Sequence, residues 1–439
     1  MTTQRYRADV AVTCDTEFTV IEDVAMDVVD GHITWLGSAS DAPEIADVSM
    51  HHLGGLMMPG LVNAHAHTPM TLVRGAGDGL PLDRWLREVM WPREGRMSPD
   101  DAWWGMTLGS AEMLRHGVTT SCEMYLFEEA LVDAARASGA RLVMTAGVLS
   151  VLHSATFGSD ASRVDAIVDF HHQHHDPAGR ITVGFGPHSA YDLSLDDCRT
   201  LADVSRELDA VLHIHVAESR DEGAALEAAH GGASTVQILA EAGVFGGRVL
   251  TGHSVWLDDA DLDVYADQGV AVAHCPISNM KLGSGVARVA DMRARGITVG
   301  LGTDGPASND DLDLWQEIKT AALLARVSAL DAAALGPVDV LSMATREGAI
   351  AVGLENVGEL RVGAVADFIR LDIDDAGFVP VTEPAELIAH LGWSSSSRLV
   401  TDVWVGGDQV VVDGTCVTVD EERARAEVQE RAMRLVADM

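Results

Sequence analysis

Eight short, nearly continuous apolar runs in the middle of the chain are separated by longer amphipathic segments. Such runs are typical of parallel strands buried on both faces, and the intervening segments begin with Ser or Asp and end at Gly, as helices do. The predicted strands occupy residues 56–62, 117–125, 140–149, 180–191, 210–219, 248–257, 269–278 and 297–305. This alternation predicts an α/β fold, a (β/α)8 TIM barrel.

The two ends of the chain have a different pattern. Short β-rich segments at 8–37 and from about residue 357 onward are separated by turn residues and predict hairpins. A β module at each terminus favours their pairing into one small composite β-sandwich beside the barrel. The predicted organisation is 1–58 and 357–420 for the sandwich, 59–356 for the barrel, and 421–439 for a terminal helix.

The excess of acidic over basic residues narrows the classes of binding partner that we expect for this protein. Asp and Glu number 67 against 30 Lys and Arg, which gives a net charge of −37. This field repels nucleic-acid phosphates and anionic lipid headgroups, so we expect neither nucleic acid nor a membrane as partner. No apolar stretch is long enough for a signal peptide or a spanning helix. The 5 scattered cysteines form no C-x-x-C pair, which favours a reducing compartment, and we expect a cytoplasmic protein.

Ionisable residues collect where the predicted strands end, which is where such barrels place their active sites. Two histidines spaced i and i+2 point the same way from a strand and can bind one transition metal ion. The candidates are His65 and His67 after strand one, His215 and Glu218 after strand five, His253 after strand six, and Asp304 after strand eight. Taken singly, each histidine is also explained as a structural residue of the core, and Asp304 is also explained as a turn or helix-cap residue. Their shared placement favours a metal site.

A further histidine run stands apart from these candidates. His171, His172, His174 and His175 fall at the end of a predicted helix. We expect a solvated helix end there rather than a second metal site.

The motifs around the candidate residues resemble the amidohydrolase superfamily. PGLVNAHAHTPMTLVRG, GFGPHSAY, HIHVAES, TGHSVWL, CPISNMKLGSG and GLGTDGPASNDDLDL are most similar to its mononuclear-zinc aminohydrolases. That branch includes methylthioadenosine/S-adenosylhomocysteine deaminases, with guanine and pterin deaminases and triazine hydrolases as relatives. The resemblance covers nearly the whole chain and implies the same barrel fold.

The resemblance implies one Zn²⁺ per subunit. Its ligands would be His65, His67, His215 and Asp304; these ligand types also suit Fe²⁺ or Mn²⁺. Superfamily members with two metals usually bridge them with a carboxylated lysine at the end of strand four. Here lysine occurs only at positions 281 and 319, which favours one metal.

The resemblance also implies how the reaction proceeds. Glu218 would be the proton shuttle, His253 would hydrogen-bond the metal-bound water, and Asp304 would move the second proton so that ammonia leaves. The loop LPLDRWLREVMWPREGRM resembles one that lines the pocket of adenosine-type deaminases. It implies nucleoside contacts from Trp85, for which lid packing is the alternative, and from Glu94 to the ribose hydroxyls, while His188 matches a nucleoside-contacting histidine.

The chain departs from its relatives near the predicted third strand. They often have an arginine where this chain reads Met144-Thr145-Ala146-Gly147, and Arg163 is only a loose match to a second one. Ala146 therefore leaves the 5′ substituent of the substrate open, S-adenosylhomocysteine in particular.

We expect a hydrolytic deaminase of an adenosine-type nucleoside: 5′-methylthioadenosine, S-adenosylhomocysteine or adenosine. The alternative is another aminated heterocycle, such as a guanine, a pterin or an aminofutalosine-like nucleoside, or triazine hydrolysis at the same metal site. A non-catalytic binding protein should lack some metal or acid–base residues, and none is missing. The expected partner is a small-molecule substrate, and a homo-oligomer remains open.

Overall fold

The computed structural model describes residues 3–150 and 160–437. Its strands within those ranges are β1 (Gln4–Val12), β2 (Val20–Val29), β3 (His32–Ser38), β4 (Ser49–His52), β5 (Leu56–Pro59), β6 (Leu61–Ala66), β7 (Val118–Tyr125), β8 (Arg141–Val148), β9 (Ile181–Pro187), β10 (Val211–Val216), β11 (Arg248–His253), β12 (Ala271–His274), β13 (Val299–Leu301), β14 (Phe368–Leu371), β15 (Val400–Val405), β16 (Asp408–Val412) and β17 (Thr415–Cys416). They form two sheets.

The first sheet is the predicted barrel. Within the described ranges its eight strands, β6 to β13, lie side by side in chain order, and every neighbouring pair is parallel. An isolated bridge between Ala66 and Asp304 links the two edges, so the sheet nearly closes. Strands β7 and β8 are buried along their whole length, as expected for strands covered on both faces. The barrel fold is confirmed.

Helices follow most barrel strands and cover the outside of the barrel. Ser98, Ser194 and Asp258 cap three of them by accepting a hydrogen bond from a backbone N–H of the first turn. The α-helices of the described residues are Leu82–Trp85, Trp91–Glu94, Pro99–Arg115, Glu128–Ser138, Asp160–His174, Leu195–Glu207, Ala224–Ala229, Thr235–Glu241, Asp259–Gln268, Pro276–Lys281, Val289–Ala294, Pro306–Asn309, Leu314–Ala329, Pro337–Met343, Arg346–Ala351, Pro384–Trp393 and Glu421–Val436. Among them, none is both long and apolar enough to cross a bilayer.

The second sheet combines both ends of the chain. Its strand order is β17-β16-β15-β14-β5-β1-β2-β3, with β4 beside β1. The two termini meet where β14 runs antiparallel to β5, and Phe368 lies opposite Pro59. The predicted pairing of the terminal segments is therefore present, as one hydrogen-bonded sheet rather than two separate sheets. The domain limits at 58 and 357 stay a prediction.

Buried ion pairs lie within this sheet and at its contact with the barrel. Arg5 donates to Asp27 within the sheet at 2.6 Å. Arg141, at the start of β8, donates to Asp367 beside β14 at 2.7 Å, and both side chains are buried. A charge removed from water requires a partner. Arg5 finds its partner within the sheet, and Arg141 finds its partner at the contact between the two sheets.

Several barrel strands end earlier than predicted, and the last two show a local cause. Strand β12 stops at His274 rather than 278 because Pro276 begins the helix Pro276–Lys281, and proline suits the first turn of a helix. Strand β13 stops at Leu301 rather than 305, since Asp304 has a positive φ of 61°. Asp304 therefore lies on a sharp turn at the rim.

The expectation for the histidine run is wrong for two of its members. His171 and His174 are buried, because this face of Asp160–His174 packs on the barrel. Nδ1 of His171 lies 3.0 Å from the carbonyl oxygen of Val183, and Nε2 of His174 lies 2.9 Å from Glu129. His172 is exposed. Among the described residues, the run forms no cluster with metal-ligand spacing.

Candidate active site

Three histidines and one aspartate converge at the carboxyl end of the barrel. His65 lies in β6 with His67 directly after it, His215 lies in β10, and Asp304 follows β13. Ligand atoms of His65, His67 and His215 lie within 4.8 Å of one another, and so do those of His65, His253 and Asp304. Oδ1 of Asp304 lies 3.4 Å from Nε2 of His65 and 3.3 Å from Nε2 of His67.

Backbone carbonyls orient two of these histidines. Nδ1 of His67 lies 2.5 Å from the carbonyl oxygen of Met124, and Nδ1 of His215 lies 2.8 Å from that of His188. A carbonyl oxygen only accepts, so Nδ1 donates in both rings. In the neutral rings, Nε2 is then left with its lone pair.

Two serine hydroxyls hold the carboxylate of Asp304. Ser278 and Ser308 donate to Oδ2 at 2.6 and 2.7 Å, which leaves Oδ1 facing the histidines. Burial by itself would raise the pKa of Asp304. The close approach of His65, together with the other nearby imidazoles, outweighs burial and holds that pKa well below its ordinary value. The site thus keeps a negative charge at its centre.

The donor set fits a transition metal ion. Nε2 of His65 is buried and has no hydrogen-bond partner among the described residues, although a buried imidazole nitrogen ordinarily has one. Burial lowers the pKa of His65 to about 3, so the ring is neutral at physiological pH. Neutral imidazoles and a carboxylate are the ligands that Zn²⁺ uses in catalytic sites.

Glu218 and His253 lie beside this cluster. Oε2 of Glu218 is 3.6 Å from Nε2 of His253, whose Nδ1 lies 2.9 Å from Oδ1 of Asn279. Burial, followed by the charge of Asp304, raises the pKa of Glu218 well above its ordinary value. A carboxyl group with a raised pKa can both accept and return a proton near neutral pH.

The turns that carry these groups have unusual backbone conformations. Ala217, His253 and Asp304 have φ values of 53°, 68° and 61°. Residues with a side chain rarely adopt this region, and such residues cluster where a site requires a particular side-chain direction. The turns direct Glu218, His253 and Asp304 toward one pocket.

That pocket encloses about 650 Å³ when its open mouth is included. Trp85, Glu94 and His188 line it together with the metal cluster. Glu94 is buried and accepts a hydrogen bond from the hydroxyl of Tyr125 at 2.8 Å. Burial raises the pKa of Glu94 and lowers that of His188 to about 4.

Comparison with known proteins agrees with this geometry. A model of the Amidohydrolase family matches residues 56–410, which is most of the chain. This chain belongs to the amidohydrolase family. It is 40% identical over 390 residues to the 5-methylthioadenosine/S-adenosylhomocysteine deaminase of Pelotomaculum thermopropionicum, covering 88% of each chain.

Two further similarities lie within the same family. The amidohydrolase is 39% identical over 381 residues to the 5′-deoxyadenosine deaminase of Methanothermobacter thermautotrophicus, covering 87% of this chain and 88% of the relative. Among solved structures, an adenosine deaminase from Xanthomonas campestris with bound zinc superposes with a TM-score of 0.93. It is 31% identical, and the match covers 98% of both chains. The resemblance read from the motifs is therefore confirmed.

The structure brings the predicted site residues of this amidohydrolase together. The pocket is lined by His67, Trp85, Glu94, His188, His215, Glu218, His253 and Asp304, with His65 directly behind them. Arg163 is not part of the lining; it pairs with Glu128 at 2.7 Å. The roles assigned to the predicted site residues stay predictions.

Several contributing residues were missed from the sequence. Ser278 and Asn279 lie within the CPISNMK motif, so the motif contained a signal that its individual positions did not reveal. Tyr125 ends β7, and its position at a strand end was the only available hint. Ser308 lies within the GLGTDGPASNDDLDL motif, which likewise did not reveal its contact with Asp304.

Proposed function

We propose that this amidohydrolase is a metal-dependent hydrolytic deaminase of an adenosine-type nucleoside. The observation that carries the proposal is the convergence of three imidazoles, one carboxylate and the buried Glu218 at the floor of one pocket. The names of the two relatives, both deaminases of adenosine derivatives, support the same reaction.

The metal is proposed to be Zn²⁺, held by His65, His67, His215 and Asp304. When bound, this ion supplies Lewis acidity that makes water a nucleophile near neutral pH. The bound zinc of the Xanthomonas campestris deaminase supports this choice. Fe²⁺ and Mn²⁺ suit the same ligands, and metal analysis of the purified protein distinguishes the three.

The protein groups move two protons in the proposed reaction. Glu218 takes a proton from the attacking water and returns it to the ring nitrogen, for which its raised pKa is suited. His253 is held in place by Asn279 and forms a hydrogen bond with the attacking oxygen next to Glu218. Asp304 moves the second proton to the amino group. Water adds its oxygen to the ring carbon, the carbon–nitrogen bond breaks, and ammonia leaves.

Other residues that line the pocket are proposed to bind the nucleoside. Glu94, fixed by Tyr125, accepts hydrogen bonds from the ribose hydroxyls, and Trp85 and His188 contact the nucleoside. Leu126 and Leu149 line the same pocket. We therefore propose that an uncharged 5′ group, as in 5′-methylthioadenosine, is accepted more readily than the charged end of S-adenosylhomocysteine.

The test is ammonia release from a substrate panel by zinc-loaded protein. The panel contains adenosine, 5′-deoxyadenosine, 5′-methylthioadenosine, S-adenosylhomocysteine, aminofutalosine, guanine, a pterin and an aminotriazine at equal concentration. We expect turnover of adenosine-type nucleosides, with the uncharged 5′ groups first. Turnover of a free heterocycle alone would contradict the ribose role of Glu94 and favour a guanine, pterin or triazine hydrolase with the same metal chemistry.

A further inference from the structure

His65 differs from the other proposed metal-binding histidines in what holds its Nδ1. His67 and His215 face backbone carbonyl oxygens, which only accept. Nδ1 of His65 instead lies 2.9 Å from Nε2 of His213 on β10. An imidazole nitrogen donates or accepts according to its tautomer. The state of His65 therefore depends on the tautomer of His213.

That tautomer is determined from the other side of the His213 ring. Its Nδ1 lies 3.1 Å from Oγ1 of Thr145, and this hydroxyl lies 2.8 Å from the carbonyl oxygen of Glu123. Two oxygens come this close when the hydroxyl donates to the carbonyl, so Oγ1 accepts from Nδ1. The sulfur of Cys122, 3.6 Å from Nδ1, is a weak second acceptor. A neutral ring has one N–H, so Nε2 of His213 is an acceptor.

The direction of donation continues into the metal site. Nδ1 of His65 donates to Nε2 of His213, which leaves Nε2 of His65 with its lone pair. A metal ligand must present a bare nitrogen, and this Nε2 is the buried atom without a hydrogen-bond partner among the described residues. The contact of the Thr145 hydroxyl with His213 and the ligation of a metal by His65 thus independently require the same tautomer of His65.

Burial makes the chain of contacts from Thr145 through His213 to His65 difficult to replace. The side chains of His65, His213 and Thr145 are all 0% exposed, so bulk water cannot substitute for a lost partner. Without the hydroxyl, the His213 ring is free to adopt the tautomer with its proton on Nε2. That proton would then face Nδ1 of His65 and favour the tautomer of His65 that cannot ligate a metal.

We propose that Thr145 and His213 are positioning residues that hold His65 in its metal-binding tautomer and thereby raise the affinity for a transition metal ion. The proposal rests on the metal site of the proposed function, not on the identity of the nucleoside. Partners of this kind typically contribute 10- to 100-fold in metal affinity. We expect a loss of about that size when the chain of contacts is broken.

The test measures zinc affinity by competition with a chromophoric chelator, without substrate. Thr145→Val replaces the hydroxyl by a methyl group of similar size, and Thr145→Ser keeps the hydroxyl. His213→Leu removes the acceptor for His65, and His213→Gln supplies an amide oxygen in its place. The matched control is Thr120→Val on β7, where an equally buried hydroxyl has no hydrogen-bond partner among the described residues. Circular dichroism verifies that each variant is folded.

We expect Thr145→Val and His213→Leu to bind zinc about 10- to 100-fold more weakly, and their Co²⁺-loaded forms to show altered visible absorption bands. Thr145→Ser, His213→Gln and Thr120→Val should stay within a few-fold of the parent protein. Equal zinc affinity of Thr145→Val and Thr120→Val would overturn the proposal. If those two affinities are equal while the parent protein deaminates nucleosides, only this inference fails. If the variants show the expected differences in zinc affinity but the parent protein deaminates no nucleoside, only the proposed function fails.

Discussion

Replacing Glu218 by glutamine removes the proposed proton shuttle while preserving the shape of its side chain. Glu218 is buried, 3.6 Å from His253, and is not among the proposed metal ligands. Glutamine can neither take a proton from water nor return one to a ring nitrogen. General acid–base catalysis contributes roughly 10²–10⁴ in rate, so kcat should fall by this factor, which corresponds to about 3–5 kcal/mol in the activation free energy.

The assay follows ammonia release from 5′-methylthioadenosine under saturating substrate. Zinc content should be unchanged in Glu218→Gln, since the four proposed ligands remain. The matched control is Glu227→Gln, the same substitution on the helix Ala224–Ala229, where the carboxylate accepts from Thr235 and does not line the pocket. A Glu218→Gln enzyme with near-parental kcat and full zinc content would refute the role assigned to Glu218.

Three further outcomes are expected. Asp304→Asn removes the charge between His65 and His67, so zinc affinity and ammonia release should both fall, and full zinc retention by dialysed protein would contradict its role as a ligand. Glu94→Gln weakens the proposed acceptor for the ribose, so KM should rise for nucleosides more than kcat falls, whereas an unchanged KM would argue against that contact. Burial lowers the pKa of His274 from 6.5 to about 3. Below pH 6.5 the unfolded chain therefore binds a proton at this position that the folded protein does not, so the free energy of unfolding is highest above pH 6.5 and falls as the pH falls below it. The parent should lose about 2 kcal/mol more unfolding free energy than His274→Gln between pH 7.5 and 5, as measured by urea denaturation, and parallel losses would contradict this.

The barrel and the centre of the site were accessible from sequence because both follow from local pattern. The apolar runs repeat with regular spacing, and the side chains at their carboxyl ends meet by topology. His65 and His67 share a direction because they are two residues apart on an extended segment. Asp304 and Glu218 could be placed at the rim by the same argument.

The surroundings of the site were not accessible, because they depend on contacts between distant segments. Tyr125 fixes Glu94 across 31 positions, and Thr145 contacts His213 across 68. Packing also decides burial: His171 lies at a polar helix end in sequence, yet the helix places it against Val183. Arg163 has a charge that could have served a substrate, but Glu128 pairs with it, which no local pattern shows.

The most direct test of the central claim is the mass of the product formed from 5′-methylthioadenosine in ¹⁸O-labelled water by the zinc-loaded enzyme. The account predicts the inosine analogue with one solvent oxygen on the ring carbon that lost its amino group, together with one equivalent of ammonia. Recovery of unchanged nucleoside, or of free adenine from cleavage of the glycosidic bond, would contradict it.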